Sequence, residues 1–257
     1  MNESRTMLDG GCFVTAPDAL HFDIRGNWHE AVVIDADRGA EMISQYFVQV
    51  HPGRSPVRVF PESDVVIYVI RGSGLLDIPG HGFDLVPQTS AYVKPGEPFR
   101  VSNPNDDPIE LLIGVCPQCS DPQWLSEIPQ GHDHVHPQRT VTLSETDRQS
   151  TGDRYFRLLV DKRVGSRQVT MFIGSIPRSK APEHFHLYEE AIVVLSGEGR
   201  IWTGRSNAKI GEGSMIFLPR KQPHCIECTV DEGIELAGMF YPAGSPAVSY
   251  DMETGPA

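Results

Sequence analysis

The stretch HFHLYEEAIVVLSGEG, residues 184–199, decides the fold. The same pattern occurs once before, as VFPESDVVIYVIRGSG at residues 59–74, and Gly72 and Gly197 fall at matching positions. Further on, AYVKPGEPFR at residues 91–100 matches MIFLPRKQPH at residues 215–224, with one extra residue assigned to the intervening hairpin. A repeat of this length indicates two copies of one structural unit. We therefore predict two domains, residues 1–130 and 131–257, joined by the segment around residues 130–140.

Short apolar stretches recur along the whole chain and are separated by clusters of Gly, Pro, Asn and Asp. They are rich in Val, Ile, Phe and Tyr, and most are too short for helices. This pattern is typical of an all-β sandwich or barrel. Helical pattern is scarce, and the stretch DPQWLSEI at residues 121–128 is the best candidate for a short helix between the halves.

Four side chains in the second copy have the chemistry of a metal site. His184 and His186 lie two residues apart, so on a strand their imidazoles point to one face, and Glu190 shares that face if the strand continues without a bulge. His224 comes from a separate strand, as expected when opposite strands of a barrel face a shared interior. Burying these groups together is costly unless a cation compensates them. Three imidazoles and a carboxylate favour Fe, Mn, Co, Ni, Cu or Zn over Mg or Ca.

The second half resembles the cupin superfamily in two motifs. HFHLYEEAIVVLSG, residues 184–197, is similar to the first cupin motif H-x-H-x(3 or 4)-E-x6-G, and GSMIFLPRKQPH, residues 213–224, is similar to the second, G-x5-P-x-G-x2-H. The resemblance implies His184, His186, Glu190 and His224 as ligands of one divalent transition metal, with Fe(II) or Mn(II) favoured. It also implies two double-stranded β-helix (jelly-roll) barrels in one chain, and a homo-oligomer.

Three residues depart from these motifs without removing a ligand. Arg178 stands where the first motif usually has its leading Gly, Lys221 replaces the Gly of the second motif, and Cys228 replaces its terminal Asn. They leave the turn geometry and the subfamily open.

The first copy lacks the ligand side chains. The alignment of the two copies puts Val59, Pro61, Val65 and Arg100 at the four ligand positions, and this set cannot hold a metal. The resemblance implies that such a degenerate barrel serves for packing, for dimerisation or to wall off the active barrel.

Charge and composition exclude several classes of partner. The formal net charge is −12 and the isoelectric point is near 5.2, which disfavours binding to nucleic acid or to an anionic membrane surface. No apolar run approaches the length of a membrane span, and the first residues lack the pattern of a secretory signal. We therefore predict a cytoplasmic protein that acts on a small molecule.

Two further sets of residues are weaker candidates. Cys116/Cys119 and Cys225/Cys228 form C-x-x-C pairs, and small packing residues explain them more simply than a thiolate zinc or redox site. His132, His134 and His136 alternate in GHDHVHPQ and could form a second metal or surface site or a solvated linker.

Three kinds of function fit the predicted metal site. The leading one is a dioxygenase that cleaves a small enol, phenolic or diketone-type substrate, with Glu190 as the group that accepts the substrate's proton. The second is redox-neutral chemistry by an isomerase, a lyase or a hydrolase similar to ureidoglycine aminohydrolases. The third is a sensor that binds a small molecule without turning it over. A closed structural zinc site is the alternative to all three. The apolar residues predicted to surround the metal are Met171, Phe172, Ile192, Val194, Phe217 and Phe240.

Overall fold

The computed structural model describes residues 5–131, 137–248 and 250. Nearly all of its regular structure is β. The first half contains β1 (Thr6–Met7), β2 (Phe13–Thr15), β3 (Asp23–Arg25), β4 (Trp28–Ile34), β5 (Ser44–Val50), β6 (Gly53–Arg54), β7 (Val57–Val59), β8 (Asp64–Arg71), β9 (Gly74–Ile78), β10 (His81–Leu85), β11 (Thr89–Val93), β12 (Arg100–Asn103), β13 (Ile109–Cys116) and β14 (Gln123–Leu125). The second half contains β15 (Thr140–Thr142), β16 (Gln149–Thr151), β17 (Arg154–Val160), β18 (Thr170–Ile176), β19 (Glu189–Ser196), β20 (Glu198–Thr203), β21 (Ser206–Gly211), β22 (Met215–Leu218), β23 (Cys225–Cys228) and β24 (Ile234–Tyr241). Single 3-10 turns occur at Asp9–Gly11, Pro17–Ala19, Ala36–Arg38, Leu143–Glu145 and Lys162–Val164.

Each half is a barrel with one large and one small sheet, and the first half has in addition the two-stranded sheet β14-β7. In the first half the large sheet has the order β15-β11-β8-β13-β5-β4-β3 and the small sheet has the order β10-β9-β12-β6. In the second half the orders are β1-β2-β22-β19-β24-β18-β17-β16 and β21-β20-β23. All pairings are antiparallel, and the all-β prediction is confirmed.

Each half also contributes strands to the other. Strand β2 pairs with β22, so residues near the start of the chain extend the large sheet of the second barrel. Strand β15 pairs with β11, so residues 140–142 extend the large sheet of the first. The boundary at residue 130 separates the two copies of the sequence repeat, but strands from each side of it pair with the sheet of the other side. The division into two domains at this residue therefore stays a prediction.

The alternation of side chains along the strands creates three apolar layers. On β19, Ile192 and Val194 pack inside the second barrel, whereas Ala191 and Val193 face a layer shared with the first barrel. That shared layer includes Val66 on β8, while its neighbours in sequence pack inside the first barrel. The two large sheets are thus apolar on both faces, which explains why their strands read as continuous hydrophobic runs.

The matching glycines of the repeat occupy equivalent turns. Gly72 and Gly197 have φ values of +81° and +85°, in the left-handed region that favours glycine. A Cβ atom at Gly197 would lie 2.1 Å from the carbonyl oxygen of Gly233, and one at Gly72 would lie 2.9 Å from that of Pro108. Both turns therefore require glycine for the same two reasons, backbone conformation and close approach.

The prediction of a short helix at residues 121–128 is wrong. The segment contains β14, which pairs with β7. Trp124 at its centre lies beside the ring of Trp28, with ring centroids 6.1 Å apart. The unpaired edge of β7 and the contact with this indole favour an extended strand over the weak local helical pattern.

None of the helices in the described part of the chain is long and apolar enough to cross a bilayer.

Candidate metal centre

Three histidines of the second barrel converge. The ligand atoms of His184, His186 and His224 all lie within 4.8 Å of one another. His184 and His224 face each other across a two-residue bridge, in which each backbone N–H donates to the other's carbonyl oxygen at 3.0 and 2.8 Å. His186 and His224 are buried, and His184 is half-buried. The antiparallel bridge thus brings together residues that lie forty positions apart in sequence.

Glu190 lies next to this histidine cluster. Its Oε2 atom is 3.9 Å from Nε2 of His186, and the residue is 5% exposed. The predicted continuous strand from His184 to Glu190 is not present, because the chain bends at residues 187–188 and β19 begins at Glu189. Glu190 nevertheless lines the same cavity as the histidines.

Backbone carbonyls orient all three imidazoles. Nδ1 of His184, His186 and His224 lies 3.1, 3.0 and 2.9 Å from the carbonyl oxygens of Pro182, Val248 and Gln222, respectively. A carbonyl only accepts, so each Nδ1 carries the proton and each Nε2 keeps its lone pair. Metal-binding histidines in proteins are commonly held in one tautomer by this kind of hydrogen bond. The donor set therefore fits a transition metal.

Burial sets the protonation of the cluster. Desolvation, followed by repulsion from neighbouring histidines, lowers the pKa of His186 to about 4 and that of His224 to about 3. Desolvation also lowers the pKa of His184 and raises that of the Glu190 carboxyl to about 8. Near neutral pH the metal-free cluster therefore holds neutral imidazoles and a largely protonated carboxyl, and a cation would reverse the cost of ionising Glu190.

A small cavity opens beside these four side chains. Its volume is about 110 Å³. The residues that line it besides the four candidate ligands are Thr151, Arg154, Tyr155, Phe156, Phe172, Gly174, Ser175, Ile176, Ile192, Ile226, Leu236 and Pro246. It is smaller than the ~300–1,000 Å³ of typical pockets for drug-sized ligands. The site therefore suits a small molecule.

Two of the six predicted apolar neighbours, Phe172 and Ile192, line the cavity. Met171 and Phe217 instead belong to the layer between the barrels, because they have the opposite strand parity. Val194 and Phe240 pack in the core of the second barrel. Sequence reasoning also missed Arg154, whose place at the start of β17 carries no motif that could have indicated it.

The first barrel has no ligand side chains at the equivalent positions, but the predicted register needs correction. Arg58 and Phe99 form the same bridge as His184 and His224, with N–H···O distances of 2.8 and 2.9 Å. The structural equivalents of the four candidate ligands are therefore Arg58, Phe60, Val65 and Phe99. Val59, Pro61 and Arg100 were each placed one residue too far along, because the extra residue of the first copy lies between Phe60 and Val65, not in the hairpin.

Aromatic rings and an ion pair fill the interior of the first barrel. The guanidinium of Arg58 lies 4.5 Å from the ring centroid of Trp124 and 4.8 Å from that of Phe60. It also pairs with Glu30, and its side chain is only 4% exposed. Cation–π contacts and this ion pair compensate a buried charge where the second barrel has its cavity.

Lys221 keeps the turn geometry despite replacing a glycine of the motif. Its φ value is +61°, and its backbone N–H donates to the carbonyl oxygen of His186 at 2.7 Å. Gly96 occupies the equivalent position of the first barrel, with a φ of +72° and an N–H bond to Phe60. The turn that leads to His224 is therefore retained at the cost of a strained lysine backbone.

The weaker candidates do not form a second metal site in the described part of the chain. All five cysteines are free, and none belongs to the histidine cluster. Cys225 and Cys228 are buried on β23, as expected for packing residues. His132, His134 and His136 lie outside the described residues.

Comparisons with known proteins support the domain type and the fold. The family model described as a cupin domain matches residues 174–239, which include all four candidate ligands. Residues 174–239 thus match a cupin domain. Comparison with curated protein sequences gives no match.

Solved structures extend the likeness over the whole chain. The crystal structure of protein YlbA from E. coli superposes with a TM-score of 0.73 at 16% identity, over 95% of this chain and 96% of that one. Oxalate decarboxylase from Bacillus subtilis superposes with a TM-score of 0.75 at 13% identity, over 98% of this chain and 80% of that one. At these identities the likeness establishes the fold. The chain has the two-barrel cupin fold.

Proposed function

We propose that this cupin protein is a metal-dependent enzyme that acts on a small molecule. His184, His186, His224 and Glu190 would hold one divalent transition metal. The observation that carries the proposal is the convergence of three imidazoles, each with its Nδ1 bonded to a backbone carbonyl and its Nε2 free. Such a metal, with Fe(II) or Mn(II) favoured, would polarise an oxygen-bearing substrate and bind dioxygen beside it.

The reaction that we favour is oxidative cleavage of a small enol, phenolic or diketone-type substrate. The protein's own contribution is to exclude water and to position the substrate in a cavity walled by Phe156, Phe172, Ile192 and Leu236. Glu190 would be ionised once the metal is bound, and it lines the same cavity, so it is the group that we assign to accept a proton from the substrate's hydroxyl group. The volume of about 110 Å³ favours the small members of these substrate classes.

A redox-neutral reaction is the second candidate. Structures of oxalate decarboxylase share the fold of the whole chain, and their name describes a reaction that removes a carboxyl group from a small acid. The small cavity beside the histidine cluster is compatible with this class as well.

Oxygen consumption separates the two reactions. The protein loaded with Fe(II) or Mn(II) should consume one dioxygen per substrate molecule cleaved, as followed with an oxygen electrode alongside product analysis. Turnover that continues at the same rate without oxygen would exclude the dioxygenase and favour the redox-neutral enzyme. The absence of turnover by a metal-loaded protein that still binds its ligand would favour a sensor.

Metal binding should release about one proton at pH 7, because Glu190 has to ionise whereas the imidazoles are already neutral. The affinity for metal should therefore rise as the pH increases towards 8 and level off above it. Calorimetric titration with Co²⁺ in buffers of different ionisation enthalpy measures the proton count.

The Glu190→Gln variant is the matched control, since it keeps the shape of the side chain but has no proton to lose. It should bind Co²⁺ more weakly and release almost no proton. Equal proton release by both proteins would show that Glu190 is not the group that ionises.

A further inference from the structure

Arg154 is the only Lys or Arg side chain among the described residues that line the cavity. We propose that it binds the carboxylate group of an anionic substrate, so that the enzyme acts on a small carboxylate held between the Arg154 guanidinium and the metal. This inference rests on the proposed metal site, and among the proposed substrates it selects those that also carry a carboxylate group.

The structure fixes the guanidinium beside the histidine cluster. Nη2 of Arg154 donates to the carbonyl oxygen of Ile226 at 3.1 Å; Ile226 lies two residues after His224, on β23 of the small sheet. The side chain is 18% exposed. Its positive charge also contributes to lowering the pKa of His184. One guanidinium nitrogen of Arg154 is thus held by a backbone carbonyl, and the side chain lines the cavity that the candidate ligands share.

The charge of the cavity favours an anion. Three neutral imidazoles, the Glu190 carboxylate and a divalent ion together carry one positive charge, and Arg154 adds another. Asp153 lies near Arg154, but its Oδ1 is 3.7 Å from Nε and its side chain is 60% exposed, so solvent screens the pair. Burial lowers the pKa of Arg154 from its ordinary value, and arginine nevertheless stays protonated in proteins. A partly buried guanidinium forms stronger hydrogen bonds with an anion than with a neutral group.

The first barrel provides an internal comparison. Trp28 occupies the position of Arg154 there, since β4 pairs with β5 in the same register as β17 pairs with β18. Its ring lies against that of Phe99, the equivalent of His224, with centroids 6.4 Å apart. In the first barrel an aromatic ring fills this position, so packing by itself does not require an arginine there. The arginine occurs in the barrel that has the histidine cluster and the cavity, which points to a role towards a ligand.

The cavity restricts the size of the anion. A volume of about 110 Å³ is well below the ~300–1,000 Å³ of pockets for drug-sized ligands, so the anion has to be small. The planar fork of arginine matches the two oxygens of a carboxylate. The hydroxyl-bearing residues Thr151 and Ser175 also line the cavity. Carboxylates with few non-hydrogen atoms satisfy all of these constraints.

The test compares two probes of similar size on the full chain loaded with Co²⁺, whose visible absorption reports ligand binding. Pyruvate carries a carboxylate, and acetoin is a neutral molecule with two oxygens. In Arg154→Gln the Kd for pyruvate should rise about tenfold or more, while the Kd for acetoin stays within about twofold. Arg154→Lys should bind pyruvate with an intermediate Kd, since it keeps the charge but loses the fork. Arg178→Gln removes an exposed arginine that pairs with Asp231, and it should bind both probes as the native protein does.

Each result has one consequence. An unchanged Kd for pyruvate in Arg154→Gln, or a native Co²⁺ spectrum that pyruvate does not perturb, would overturn the carboxylate proposal and leave the metal site standing. Failure of the native protein to bind Co²⁺ would overturn the proposed function itself. If Arg154→Gln does not fold, Arg154→Lys decides, and a Kd for pyruvate equal to the native value would overturn the proposal.

Discussion

The His186→Ala variant should bind Co²⁺ more than about 100-fold more weakly than the native protein, and should lose turnover. His186 is 6% exposed, and its Nδ1 is held by the carbonyl of Val248. Because its Nε2 is one of the four proposed metal-binding atoms, alanine leaves only two imidazoles and the Glu190 carboxylate, and the loss of one imidazole nitrogen should weaken binding strongly. Elemental analysis after dialysis and calorimetric titration measure the loss.

His21→Ala is the matched control, since His21 is exposed and lies in the first half of the chain. It should keep native metal content and turnover. Retention of stoichiometric metal by His186→Ala would contradict the three-histidine site. Unfolding is separated from loss of a ligand by the near-ultraviolet circular dichroism of the metal-free proteins, which should be the same in all three.

The Glu189→Gln variant should lower the free energy of unfolding by about 3 kcal/mol. Glu189 is 1% exposed, and its carboxylate accepts the backbone N–H groups of Glu41, Met42 and Ile43 at 2.6, 2.8 and 3.0 Å. It therefore ties a loop of the first half to β19 in the second. An amide keeps the shape but replaces an acceptor oxygen with an NH₂ group and removes the charge that strengthens these bonds. Urea denaturation followed by circular dichroism measures the change.

Glu232→Gln is the control for Glu189, because Glu232 is exposed and precedes β24. Its unfolding free energy should stay within about 0.5 kcal/mol of the native value. An equally small effect of Glu189→Gln would show that these backbone bonds contribute little to holding the two halves together.

The sequence by itself determined the all-β class, the two-fold repeat and the candidate ligands. These follow from local patterns: residues two apart on a strand share a face, and the matching Gly72 and Gly197 mark the turn of each copy. Comparison with known proteins confirms the cupin domain over residues 174–239. The four ligand residues remain a prediction until a metal is measured.

Only the tertiary structure decided what depends on pairing between distant strands. The hydrogen-bonded bridges set the true equivalents of the ligands in the first barrel, Arg58 and Phe99 among them, which alignment had placed one residue away. Strand β2 crosses to the second barrel, and Arg154 reaches the cavity from β17, far from either motif. The physical reason is that a short motif fixes which face a residue occupies, whereas the register of the sheet fixes which residues meet across it.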